Sequence, residues 1–441
     1  MKNLKIRLLA ALVLCAVTLT ACSNTGGSSA ADSAQSGESQ SSTVSSAVSE
    51  TSESGSDSSG ASQDSTEQDN LSDYDKMVQR SLMSTGNLER MTNFINKLEN
   101  KEEVTIAFIG GSITEGLTAG AEKCWAKLTY DYLCEKYPDT KINYVNAGMS
   151  GTPSILGNIR VQRDVLDYKP DLVFVEFAVN DGNDQLYKDS YEALVRTILS
   201  QEQNPAVALY FTVIKSGHTC ESFMSQVGEA YGLPMVSLNN ALKPEFDSGA
   251  MTWEDYSDDE SHPNEWGHEM TRDLIVNMLE KVTEEVKAGG TTEVSPLPEA
   301  RVFSDRFEGM TLIDRAHESD KFTMKSVGSF STDQETLAQF PDGWSVKMKP
   351  SECEAMEFEF TGKNLFLIYR CVNSKKFGSA LFTVDGKEAG SFLTSANDGW
   401  SNPVAKLVYS GDEGTHTVSV KLDSVEDDSS MYLEILGFGI C

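Results

Sequence analysis

Val104-Thr-Ile-Ala-Phe-Ile-Gly-Gly-Ser112 decides how the rest of the chain is read. Its first six residues are rich in Val, Ile and Phe, which predicts a strand buried on both faces, the habit of parallel sheets covered by helices. The glycine pair at the carboxyl end allows a sharp backbone turn and is expected to leave the Ser112 hydroxyl pointing into a crevice. The stretch is not a phosphate-binding loop, because Gly116 is followed by Leu117 and Thr118 rather than Lys-Ser/Thr. Nor is it a Gly-x-Ser-x-Gly elbow, because Thr114 stands where the second glycine belongs. Alone, a serine after two glycines most often marks a structural turn.

Outward from this strand the pattern repeats. Ile142–Val145, Asp171–Phe177, Ala206–Val213 and Met235–Leu238 read as further buried strands. Cys124–Tyr137, Ile155–Tyr168, Tyr187–Gln203, Glu221–Tyr231 and about Asn264–Lys287 read as helices. Strands punctuated by helices predict an α/β unit over residues 71–288, with ligands at the carboxyl ends of the strands. Gly289-Gly290 to Pro298 reads as a boundary, giving a linker over 289–300. Beyond it come short alternating or continuous apolar runs with no long helical pattern. Asp385-Gly386 between two of them signals a tight hairpin. Residues 301–441 are therefore expected to form a β-sandwich of jelly-roll type. Neither unit shows an internal repeat.

At the amino end, Lys2, Lys5 and Arg7 precede an apolar run from Leu8 to Leu19, which reads as a secretory signal too short for a comfortable membrane span. Leu19-Thr-Ala-Cys22 resembles the lipobox of bacterial lipoproteins, so residues 1–22 are expected to be a signal with Cys22 lipidated. Residues 23–70 are dominated by Ser and, from Asn24, contain no Lys, Arg, aromatic, Leu, Ile or Met. They cannot bury enough apolar area to offset ordering entropy and read as a tether. Together these features imply a chain held at the bacterial surface by its lipid, facing outward.

The 441 residues carry Lys+Arg 36 against Asp+Glu 67, a formal charge of -31. Polyanions are repelled by such a surface, which excludes nucleic acid, and leaves the lipid anchor as the only membrane contact. Of eight cysteines, Cys124 and Cys134 fall in one predicted helix about 15 Å apart, beyond the reach of a disulfide. No zinc-like spacing occurs, and a bridge among Cys353, Cys371 and Cys441 stays open.

The weight of the Ser112 turn rises with a distant element, Asp258-Asp-Glu-Ser-His-Pro-Asn264. A hydroxyl needs a base to become a nucleophile, and the base needs a carboxylate to fix its tautomer. Asp259 and His262, three apart on one loop, can supply both; the other four of the five histidines in the chain are read as surface or packed structural residues. Donors for a developing oxyanion are offered by two more strand ends, Asn146-Ala-Gly-Met-Ser-Gly151 and Phe177-Ala-Val-Asn180-Asp181.

These blocks, Gly-Gly-Ser-Ile-Thr, Asn-Ala-Gly-Met-Ser-Gly, Ala-Val-Asn-Asp and Asp-Glu-Ser-His-Pro-Asn, resemble the four blocks of the SGNH, or GDSL-like, hydrolases across about residues 104–287. The resemblance implies a flavodoxin-like three-layer α/β/α domain with Ser112 as nucleophile, His262 as base and acid, and Asp259 as its orienting carboxylate. It also implies an oxyanion hole from Ser112, Gly151 and Asn180, with no metal or cofactor. Gly111 departs from the family's usual Asp, and Ala178 from a frequent Gly, which suggests an altered pocket shape. The expected activity is hydrolysis of small acyl esters, acetyl first, on an extracellular polysaccharide. Alternatives are a lipase or lysophospholipase, a peptidoglycan O-acetyl esterase, or a surface carbohydrate-binding lipoprotein. Trp344, Tyr369, Phe377 and Trp400 are candidate sugar platforms, with burial in the sandwich core the more frequent fate of such residues. Trp253 and Trp266 flank the catalytic loop in sequence and are candidate walls of the acyl pocket.

Overall fold

In the computed structural model, which describes residues 71–333, 336–424 and 428–441, the Val104 strand lies inside a six-stranded sheet. The expected signal, the Cys22 lipidation site and the tether lie outside the described residues. Five strands are parallel, in the order β3 (Ile142–Gly148), β2 (Val104–Gly110), β4 (Leu172–Glu176), β5 (Ala206–Phe211) and β6 (Pro234–Ser237). A short β1 (Leu82–Thr85), which the sequence reading passed over, caps the edge antiparallel to β6.

Because side chains alternate along a strand, β2 feeds two cores. Ile106 and Phe108 point to one, where Phe108 stacks on Phe174 at 4.9 Å and meets Trp125 edge-on at 5.2 Å. Ala107 and Ile109 point to the other, with Val173, Val175 and Tyr191. The first core is covered by α2 (Glu89–Glu99), α4 (Trp125–Lys136) and α10 (Glu265–Gly289), after a first helix α1 (Asp73–Arg80). The second is covered by α5 (Ser154–Asp164), α6 (Gln185–Leu199) and α7 (Glu221–Ala230). Each large apolar side chain removed from water here contributes about 1.5–3 kcal/mol. The three-layer α/β/α unit is thus the one the sequence predicts. The helices start where their caps dictate: the Asp184 carboxylate accepts from Leu186 N–H, and the Asn264 amide oxygen from Gly267 N–H. Between β2 and α4 lies only the turn α3 (Ser112–Glu115).

The remaining strands, β7 (Thr311–Ile313) to β14 (Met431–Ile440), form an all-antiparallel sheet around its own core. The expected pairs of short strands run together here. Met356–Val372 is one strand, β10, and Trp400–Asp423 another, β13, paired along their length with shifts between Gly362 and Asn364 and at two later points. These shifts in register act as bulges, which keep the ladder going while bending it. Asp385 and Gly386 both have positive φ, at 51° and 74°, the type I′ hairpin geometry their sequence signals. All six described cysteines are free. Among the described residues no helix is long and apolar enough to cross a membrane.

The two units share a core. Helix α5 is buried from Ser154 through Val161. One of its faces lies against the parallel sheet, and Ile155, Leu156 and Ile159 pack with Phe307, Phe340, Phe366 and Leu436 of the β unit. Asn158 donates to the Phe307 carbonyl at 3.0 Å. Residues 290–310 hold no helix or strand and are strapped to α6, where the Glu192 carboxylate accepts the backbone N–H groups of Val302 and Phe303, both at 2.7 Å.

Candidate active site

Neither glycine of the nucleophile turn is there for its φ, contrary to the sequence expectation: Gly111 has φ -90°, and Gly110 is not in the left-handed region. They are needed for space. A Cβ on Gly110 would overlap the Thr114 hydroxyl and the Glu176 carbonyl, and one on Gly111 would overlap the Asn180 side-chain oxygen. The lack of a Cβ at Gly111 therefore lets the Asn180 amide lie directly against the turn. Ser112 opens α3, mostly buried, and its Oγ stands 2.9 Å from His262 Nε2.

His262 is presented by a loop locked at many points. Its Nδ1 lies 2.8 Å from Asp259 Oδ2, while Asp259 Oδ1 accepts the N–H groups of Ser261 and His262 at 2.6 and 2.7 Å. Partial burial works to raise the Asp259 carboxyl, but the bonds from the His262 ring and the two N–H groups outweigh it and hold the group below its ordinary range. The carboxylate is Asp259, not its neighbour Asp258. Ser257 Oγ donates to the Asp259 and His262 carbonyls. Trp253 supports the loop from behind through its indole N–H to the Asp259 carbonyl at 2.5 Å. It is 8% exposed and so braces the loop rather than walling the open site. Thr118, just beyond the nucleophile turn, donates to the Pro263 carbonyl at 2.5 Å.

Three strand ends are pinned together around Ser112. Glu115, on the same turn, accepts from both the N–H (2.8 Å) and the hydroxyl of Ser150. Gly151, at φ 68°, follows in a conformation that favours glycine. The Asp181 carboxylate accepts Ser154 N–H at 2.7 Å, joining the Gly151 loop to the Asn180 loop. Asp181 is wholly enclosed, and burial pushes its carboxyl up to about 8. Arg160, also buried, donates to the Ala147 carbonyl at 2.7 Å and the Gly110 carbonyl at 3.3 Å, tying β3 to β2. The structure thus brings Ser112, Asp259, His262, Gly151 and Asn180 to one rim. Sequence reasoning missed Glu115, Glu176, Asp181 and Arg160. Glu115, Glu176 and Asp181 stand within or beside the motif blocks, which was the signal available; Arg160 lies nine residues past Gly151 and carried none.

Of the aromatic candidates, Trp344 and Tyr369 belong to the β core, and Phe377 stacks on Tyr432 at 5.6 Å. Trp400 differs. It is 57% exposed, and its ring lies 3.0 Å from where a Gly151 Cβ would stand. The β unit therefore places an aromatic face beside the candidate oxyanion loop. Trp266 is part-exposed on the first turn of α10. The other four histidines have partners of their own; His268, for example, accepts Trp125 N–H through Nδ1 and is held by burial down at about 4.

A three-layer α/β/α domain with a hydroxyl, an imidazole and a carboxylate in file is the arrangement of a serine carboxylic-ester hydrolase. Residues 108–270 match the family described as "GDSL-like Lipase/Acylhydrolase family". Across both units the chain is similar to the crystal structure of a two-domain esterase active on acetylated mannans, with TM-score 0.73, 24% identity, 82% of this chain and 98% of the other covered. The same esterase co-crystallised with mannopentaose gives TM-score 0.71 and 25% identity over 82% of this chain and 97% of that one. Comparison with curated protein sequences gave no match.

Proposed function

We propose that the protein removes acetyl groups from an extracellular polysaccharide, acetylated mannan first, through an acyl-serine intermediate. The observation that carries the mechanism is the file Ser112 Oγ–His262 Nε2–Asp259, at 2.9 and 2.8 Å. His262 takes the Ser112 proton as Oγ attacks the ester carbonyl, and Asp259 fixes the tautomer and stabilises the imidazolium. The N–H groups of Ser112 and Gly151 and the Asn180 amide receive the oxyanion. His262 then protonates the sugar oxygen as the acyl C–O bond breaks, and the sugar hydroxyl departs. In the second half it takes a proton from water, which attacks the acyl-serine, and returns it to Ser112 Oγ as the Oγ–C bond breaks and acetate is released.

The likeness to an esterase active on acetylated mannans extends over both units, and Trp400 offers a flat apolar face of the kind that stacks on sugar rings. Surface location rests on the sequence alone: with Leu19-Thr-Ala-Cys22 as a lipobox, Cys22→Ala is expected to release the chain from the membrane fraction. The deciding experiment offers a soluble chain beginning near Ser72 an aryl acetate, longer-acyl aryl esters, and acetylated mannan, xylan and peptidoglycan, beside Ser112→Ala. Acetate release from mannan, lost by at least about 1,000-fold in Ser112→Ala, is the expected result. Preference for long acyl chains or for peptidoglycan would overturn the substrate, and an active Ser112→Ala the site.

A further inference from the structure

Beneath the nucleophile turn lies a carboxylate for which the acyl-transfer scheme has no role. Glu176 ends β4, fully buried, in register with Gly110. Thr114 Oγ1 donates to its Oε2 at 2.9 Å, Thr212 Oγ1 to its Oε1 at 2.7 Å, and the Gly111 N–H also donates to it. Gly111 and Thr114 flank Ser112, so one side chain grips the turn on both sides of the nucleophile. The space denied to a Cβ at Gly110 is the space through which the Thr114 hydroxyl reaches it.

These partners are neutral donors, and a carboxylate costs far more to bury among them than an amide of the same shape. If the side chain served only to hold the turn, glutamine would do so more cheaply. The titratable groups it faces are Asp181, on the loop after β4; Tyr191, on α6; Tyr210, on β5; Tyr256; and His262. Burial raises all three tyrosines and keeps them neutral. Asp181, pushed up to about 8, is protonated through neutral pH. Only His262 becomes positive, and it does so in both halves of the reaction. Burial leaves the Glu176 carboxyl raised above its ordinary range, and its hydrogen bonds and a protonated His262 act in the opposite direction.

We propose that Glu176 is a positioning residue that holds the Ser112 turn from below and, with Asp259, stabilises the imidazolium that His262 becomes as it takes up a proton. The inference rests on the Ser112–His262 reading of the site. Glu176→Gln preserves shape and an acceptor oxygen, and the threonine hydroxyls can turn to suit it. With an aryl acetate it is expected to lower kcat about tenfold or more at a KM within about threefold of the parent. The acidic limb of kcat/KM should move down by at least about half a pH unit, because the imidazolium loses an attractive charge. A limb that does not move, or an unaltered kcat, overturns the proposal.

If Glu176→Gln fails to fold by thermal unfolding, Thr114→Val and Thr212→Val decide instead. Each deletes one bond to the same carboxylate, but only Thr114 rides on the turn. Thr114→Val should cost at least about fivefold more in kcat than Thr212→Val, with Thr114→Ser restoring it; equal losses overturn the positioning role. Retained turnover in Ser112→Ala would sink the site reading itself. A dead Ser112→Ala beside an unaltered Glu176→Gln would sink this inference alone.

Discussion

The α/β unit and the β unit bury very different things. In the first, ionisable side chains go inside: Arg160, Glu176, Asp181, Asp189, Glu192 and Arg196 are all buried, and Glu176, Asp181 and Arg160 sit at or under the strand ends that carry Ser112, Gly151 and Asn180. In the second, the core is mainly Phe, Val, Leu, Met, Ile and Trp, and among the described residues Asp314 and His416 are the only carboxyl and imidazole groups buried in it. Burying a charge is costly unless it is held by donors. Its concentration in one unit therefore marks where the molecule gives up stability for geometry. The β unit, chemically quiet, contributes a brace and one exposed aromatic ring.

The largest effect that tests this contrast comes from separating the units. A chain ending near Gly290 would expose Ile155, Leu156 and Ile159 of α5 to water. It is expected to aggregate or to lose activity outright, as gel filtration and aryl-acetate hydrolysis would show. A soluble, fully active fragment would mean that the shared core is dispensable. Next comes the clamp between the nucleophile turn and the Gly151 loop. Glu115→Ala strands the Ser150 N–H and hydroxyl and should lower kcat by about 10- to 100-fold, with Glu115→Gln recovering part of it. Loss expressed in KM alone would contradict a role in oxyanion geometry.

Trp400→Ala probes the β unit's contribution. On acetylated mannooligosaccharides kcat/KM should fall about tenfold while an aryl acetate changes by less than about twofold. Equal losses on both would make the ring a buttress for Gly151 rather than a sugar contact. The smallest effect is read in stability. Because the Asp181 carboxyl is raised to about 8, the folded state keeps a proton that the unfolded chain gives up above about pH 4, so stability falls as pH climbs between those values. Asp181→Asn keeps an acceptor for Ser154 and removes that slope. Relative to the parent it should gain at least about 1 kcal/mol between pH 5 and pH 8.5 in denaturant unfolding.

Much of this was legible in the chain. The strands around Phe108, Phe174 and Leu209 announce themselves because both of their faces are apolar, and Asp259-x-x-His262 because its spacing fits one loop. What the sequence could not show is distance between separate blocks. Glu176 reads as one polar residue in an apolar run, and only the register with Gly110 puts it under the turn. The Gly110–Gly111 pair suggests conformational freedom, whereas the folded chain uses it for room. Trp400 and Trp344 are indistinguishable by local pattern; one is enclosed and the other reaches Gly151 because of how the β unit docks. The bulge at Gly362 is visible only as a shift in register against the partner strand, which no local pattern carries.

Helix α5 has apolar neighbours on two sides, one in each unit, and begins three residues after Gly151. A graft that replaced the β unit with an unrelated module would have to reproduce the footprint of Phe307, Phe340 and Leu436 on Ile155 and Ile159, or the loop upstream would lose its anvil. The pair is therefore inherited as one machine, and recombination at the interdomain segment is a far more hazardous route to new specificity than drift at the single exposed ring.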